Sequence, residues 1–144
     1  MEIRLSKHFT LAELTRSATA QRLGLQNVPD AEAVSNLRAL VTNVLEPLRQ
    51  LYAKPIRVSS GYRSAAVNAA VGGAACSQHL RGQAADITTG SPAENRRLLG
   101  LLLANADRLP FDQLIAERCD RQGCPRWLHV SFSRTQQRSQ MLWT

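Results

Sequence analysis

Residues 111–132 read FDQLIAERCDRQGCPRWLHVSF. Two runs rich in branched and aromatic residues, Phe111–Glu117 and Arg126–Phe132, flank the polar loop RCDRQGCP, which predicts two adjacent strands. Alternation in the second run puts Trp127, His129 and Ser131 on one face and Leu128, Val130 and Phe132 on the other. The apolar face belongs to the core, so His129 stands over an open surface of the sheet. Upstream, AADIT (Ala84–Thr88) predicts a third strand in which Ala84, Asp86 and Thr88 share a face. PIRVSS (Pro55–Ser60) predicts a fourth, entering the turn SGYRS.

The first half of the chain changes period. From Asp30, a plausible N-cap, Val34, Leu37, Val41, Val44, Leu48 and Leu51 recur at three- and four-residue steps, widened by Leu40 and Leu45. Pro47 is expected to kink the last turn of that helix or end it early, because it lacks a donor and clashes one turn back. A short helix is predicted over Ser64–Val71, stopping at Gly72-Gly73. Another starts at SPAE, with Ser91 as N-cap, Pro92 at the first position and Glu94 reaching back, and buries Leu98, Leu99, Leu101, Leu102 and Leu103. Early helices and late, adjacent strands predict an α+β fold with a small antiparallel sheet in one domain, residues 1–144.

Composition narrows the function classes. The net charge of +7 and pI near 10.4 suit contact with a polyanion, whether nucleic acid, anionic lipid or cell wall. No stretch reaches the ~18 apolar residues of a membrane span. The opening MEIRLSKHFTLAEL lacks an apolar h-region, so no secretory signal is visible. Three cysteines, Cys76, Cys119 and Cys124, leave one unpaired, although a Cys119–Cys124 bridge would close a short loop.

The three histidines are His8, His79 and His129. His79 and Asp86, in CSQHLRGQAADI, stand seven residues apart; spacing alone allows a metal pair, a charge-relay pair or two unrelated polar residues. Gly82, Ala84 and Ala85 remove bulk, letting a loop lie close to the sheet. Two imidazoles and a carboxylate suit zinc, and three ligands leave a fourth position for water. Glu117, ending its strand where it could sit opposite His129, is a candidate base. Arg63, between a strand and a helix, could hold a carboxylate or an oxyanion. Cys119 and Cys124 lack a second ligand pair at zinc-finger spacing, and Cys76 has nothing to orient it toward His79.

SGYRS (60–64), SQHLRGQAADI (77–87), FDQLIAE and WLHVSF, in that order, resemble the zinc D-Ala-D-Ala carboxypeptidase and phage endolysin peptidases, a peptidoglycan peptidase family sharing the hedgehog-like fold. Ser77, His79, Gly82, Ala84 and Asp86 match the family pattern Ser-x-His-x-x-Gly-x-Ala-x-Asp, and the resemblance runs from about His8 to Phe132. It implies one catalytic Zn2+ held by His79, Asp86 and His129. Arg63 would engage the substrate or oxyanion, and Ser77 would hydrogen-bond the peptide. Many members carry glutamate where this chain has Arg126 and some carry histidine where it has Trp127. The resemblance therefore maps the base onto Glu117, with Asp120 in reserve.

The implied protein is a zinc metallopeptidase cutting peptidoglycan stem peptides or cross-links. The expected setting is a monomer of phage or prophage origin, made in the bacterial cytoplasm and acting at the cell wall. The alternative is a zinc-containing wall-binding module of the same fold without catalysis. A nucleic-acid role is disfavoured, since no recognition helix or interleaved aromatics accompany the charge.

Overall fold

The computed structural model describes residues 2–144. Two short helices, α1 (Leu11–Thr15) and α2 (Ala18–Leu23), come first; a reciprocal capping box between Thr10 and Glu13 starts α1. The long amphipathic stretch becomes α3 (Ala31–Leu40), a wide π-helical turn (Val41–Leu45) and α4 (Glu46–Tyr52). Asp30 caps α3 by accepting from the Ala33 N–H at 2.8 Å.

The π turn is why Pro47 neither ends nor interrupts this run. Glu46 donates back to Val41, five residues away, so the ladder is already loosened where proline would clash. The extra residue also rotates the buried face: Tyr52 is buried, while Leu51, expected in the core, is 40% exposed.

β1 (Arg57–Ser60) leads into α5 (Ala65–Ala70), which Ser64 caps and Gly72 follows in the left-handed region at φ 70°. A 3-10 turn, Gln78–Arg81, precedes β2 (Ala84–Thr88). α6 (Pro92–Ala104) starts as predicted at Ser91, whose hydroxyl accepts from the Glu94 N–H. The Glu94 carboxylate does not reach back; it takes hydrogen bonds from Tyr52, Lys54 and Arg97. Leu98, Leu99 and Leu102 are buried, but Leu103 points outward at 43% exposure.

β3 (Gln113–Glu117), β4 (Trp127–Ser131) and β5 (Gln140–Trp143) complete a five-stranded sheet in the order β1-β2-β4-β3-β5. The expected antiparallel sheet needs one correction: β5 pairs parallel to β3, so the sheet is mixed. The cause is a clamp at Asp112. Its fully buried carboxylate accepts from Arg138 Nε (2.7 Å) and Nη2 (3.0 Å), turning the chain after β4 back along the outer edge of β3.

Ala85, Ile87, Leu114, Ala116, Leu128, Val130 and Phe132 give one face of the sheet to the core, with Leu37, Leu40, Leu48, Leu98 and Leu102 from the helices. The other face carries Asp86, Ile115, Glu117, Trp127 and His129. Among the described residues no helix is long and apolar enough to cross a membrane.

Candidate metal centre

Asp86 on β2 and His129 on β4 are direct cross-strand partners, so strand alternation alone brings them together on the face away from the core, although both side chains are largely buried there and not on the open surface expected. His79 arrives from the 3-10 turn. Three contacts fix it there. The Ser77 hydroxyl accepts from the His79 N–H (3.2 Å), the His79 carbonyl accepts from Arg63 N (3.0 Å), and His79 Nδ1 lies 2.7 Å from the Gly61 carbonyl oxygen.

That last contact sets the tautomer. A carbonyl only accepts, so Nδ1 carries the proton and the Nε2 lone pair is turned to Asp86. His79 Nε2 and His129 Nδ1 each lie 3.3 Å from Asp86 Oδ1. The two rings meet edge to face, centroids 5.1 Å apart, and the three donor atoms all lie within 4.8 Å of one another.

This arrangement fits a cation. A lone pair facing a carboxylate oxygen is unfavourable unless positive charge sits between them. Bonds of about 2.0–2.1 Å in a tetrahedral site place neighbouring ligand atoms roughly 3.3–3.4 Å apart, which the two His–Asp separations match. Neutral imidazole and carboxylate donors, with no thiolate, suit zinc with one position left open. Burial alone would raise the Asp86 carboxyl, but its contacts with His129 and His79 outweigh burial and hold it well below the ordinary carboxylate range.

Arg63 stands beside the triad. Its Nη2 lies 3.5 Å from Asp86 Oδ2, the outer limit of a hydrogen bond, and Nε and Nη1 reach Ser60 Oγ and Asn68 Oδ1. Glu117 shares the triad's face without touching it: Ile115, not Glu117, is opposite His129, and Glu117 pairs with Trp127. Its Oε1 accepts from the Thr144 hydroxyl at 2.9 Å. Asp120 Oδ1 is taken by the backbone N–H groups of Gln122 and Cys124 in its own turn.

The remaining histidine, His8, pairs with Glu46 at 2.8 Å. All three cysteines are free thiols, so the Cys119–Cys124 bridge is not formed. Among the described residues the only cluster able to hold a metal is His79, Asp86 and His129.

Sequence reasoning missed Gly61 and Asn68 as supports, and read Gly82 as room for a loop against the sheet where its close neighbour is α3. A Cβ on Gly61 would overlap the Leu14 carbonyl, so only glycine lets the SGYRS turn press on α1 and present its own carbonyl to His79. Gly82, at φ 72°, would put a Cβ 2.5 Å from the Ala33 carbonyl oxygen, so it admits α3 to the His79 turn as well as following it into β2. Asn68, buried, braces Arg63 and donates to the Ala74 carbonyl at 2.9 Å. The signal for Gly61 and Asn68 lay in SGYRSAAVN, where small residues surround one asparagine.

The family profile described as Peptidase M15 matches residues 7–108. Over 86 residues the chain is 41% identical to the zinc D-Ala-D-Ala carboxypeptidase of Streptomyces albus G, an alignment covering 58% of this chain and 32% of that relative. The chain thus matches about a third of the relative's length.

Proposed function

The chain belongs to the peptidase M15 family, and from that premise we propose that it is a zinc metallopeptidase hydrolysing peptide bonds in peptidoglycan stems or cross-links. The observation that carries the proposal is the convergence of His79 Nε2 and His129 Nδ1 on one oxygen of Asp86, at 3.3 Å each, on the sheet face turned away from the helical core.

His79, Asp86 and His129 would hold the ion. When bound, zinc supplies a Lewis acid that polarises the scissile carbonyl and lowers the pKa of water in the open position. Glu117 is the proposed base: Thr144 occupies only Oε1, and Oε2 would accept a proton from water and pass it to the departing amine. Arg63, held by Ser60 and Asn68, would place positive charge near the developing oxyanion or a substrate carboxylate. The Ser77 hydroxyl accepts from His79 and keeps its own proton free to donate to a bound peptide.

The +7 charge would hold the enzyme to an anionic wall. The finer reading, a phage or prophage endolysin, is supported by the resemblance of HFTLAELTRSATAQRLGLQNVP (His8–Pro29) to the N-terminus of short phage-associated members of the family. Purified peptidoglycan treated with zinc-loaded wild type and Glu117→Gln, read by mass spectrometry, tests the assignment. New stem fragments from wild type alone support peptidase and base together and name the bond. Zinc retained without fragments from wild type favours a wall-binding module instead.

A further inference from the structure

Strand β5 leads directly to the proposed base. It runs parallel to β3 with Gln113 beside Gln140 and Ala116 beside Trp143, so one further step of the same register brings Thr144 to Glu117. The main chain of Thr144 is tied on both sides: its N–H donates to the Ala116 carbonyl at 2.9 Å, and its O accepts from the Cys119 N–H at 3.1 Å. Between those bonds the hydroxyl has one arrangement. Thr144 Oγ1 accepts from the Arg118 N–H at 2.9 Å, so its single proton is left for Glu117 Oε1, also at 2.9 Å.

Among the described residues the Thr144 hydroxyl is the one hydrogen-bond partner of the Glu117 carboxylate. Neighbouring donors point elsewhere. Trp127, across the ladder from Glu117, keeps a buried Nε1 that donates to nothing. The Arg118 guanidinium lies over the Trp127 ring, 5.7 Å from its centroid. Arg118 itself is in the left-handed region at φ 50°. A residue with a Cβ holds that conformation only where its surroundings enforce it, and here it accompanies the N–H bond to Thr144 Oγ1.

We propose that Thr144 is a positioning residue for the reaction: its hydroxyl fixes Glu117 Oε1, so that Oε2 keeps one orientation for proton transfer. The proposal rests on the reading of Glu117 as the base. Among the described residues Thr144 makes no hydrogen bond to the triad, so it acts through Glu117. A glutamate has three staggered wells about each of χ1 and χ2, so a carboxylate released from Thr144 would hold the productive pair of rotamers roughly one-ninth of the time. Proton transfer slows with that fraction, whereas substrate binding does not depend on it.

The test compares Thr144→Val, which keeps the shape and removes the hydroxyl, with Thr144→Ser, which keeps the hydroxyl. On peptidoglycan fragments, kcat per bound zinc should fall about tenfold in Thr144→Val while KM stays within about twofold, and Thr144→Ser should restore it. A second readout needs neither metal nor turnover. In zinc-free protein, the three-bond couplings of Glu117 Cγ to its own backbone N and C′ should report one χ1 rotamer in wild type and Thr144→Ser, and averaged rotamers in Thr144→Val. Either readout unchanged in Thr144→Val overturns the proposal. So does a loss that Thr144→Ser shares in full, which would make the threonine structural. Glu117→Gln separates the readings. Wild-type turnover in Glu117→Gln removes the base and the positioning role with it. Lost turnover there, beside full turnover in Thr144→Val, leaves the base and overturns Thr144 alone. Absence of fragments from zinc-loaded wild type overturns both.

Discussion

Replacing Gly61 by alanine should damage the metal centre without touching a ligand. The new Cβ would meet the Leu14 carbonyl carbon at 2.8 Å and overlap its oxygen, against a comfortable separation of about 3.5–4.0 Å. That carbonyl cannot swing away freely, because it accepts the Tyr62 N–H at 2.8 Å. The SGYRS turn must therefore retreat by roughly 0.7 Å or more against the carbonyl carbon, and the Gly61 carbonyl goes with it. Overpacking, with the backbone shift it forces, should cost about 1–3 kcal/mol of stability. Loss of the Nδ1–H partner frees the His79 ring and its tautomer, which should weaken zinc binding by roughly 10–100-fold. Competition with a chromophoric chelator measures the affinity, and thermal unfolding of the metal-free protein measures the packing cost separately. Unchanged zinc affinity in a destabilised Gly61→Ala protein would refute the claim that this carbonyl orients His79.

Other perturbations act at separate points. Asp112→Asn should cost about 2–3 kcal/mol, because it weakens a buried carboxylate holding Arg138 and Gln78. It should also expose the segment before β5 to limited proteolysis. Glu46 predicts an acid-sensitive step. Burial would raise its pKa, but hydrogen bonds from Ser6, His8 and Gln50 lower it from 4.5 to about 2. A depressed carboxyl stabilises the fold above the unfolded value, so this contribution is present above pH 4.5 and is lost as pH falls toward about 2. The loss should be on the order of 1–2 kcal/mol, and Glu46→Gln should flatten denaturant midpoints across that window. Arg63→Lys should keep its zinc but lose the fork held by Ser60 and Asn68, lowering kcat/KM on peptidoglycan fragments by at least tenfold.

Much of this architecture was readable from residue order. The caps at Asp30 and Ser91, the strand AADIT and the alternation in WLHVSF are local signals, and local physics decides them. Strand alternation also placed Asp86 and His129 on one face, since both sit in regular strands that pair directly. The misses are non-local. Nothing before Pro47 announces a π turn, so the face of α4 slipped by one residue and Leu51 exchanged places with Tyr52. Parallel pairing of β5 depends on Arg138 finding Asp112, a contact across 26 residues. Glu117 was expected opposite His129; the register set by the β3–β4 hairpin puts Ile115 there. No spacing rule reports a two-residue offset between paired strands. Gly61 and Gly82 act through α1 and α3, whose positions only the assembled fold supplies.

The central claim is that His79, Asp86 and His129 make one zinc centre that cuts peptidoglycan. It is tested most directly by mass spectrometry of purified peptidoglycan incubated with protein as purified, after chelator stripping and after return of one equivalent of zinc. The account predicts stem-peptide fragments that vanish on stripping and return with zinc. Fragments that persist in fully stripped protein, or none from a protein carrying its zinc, would contradict it.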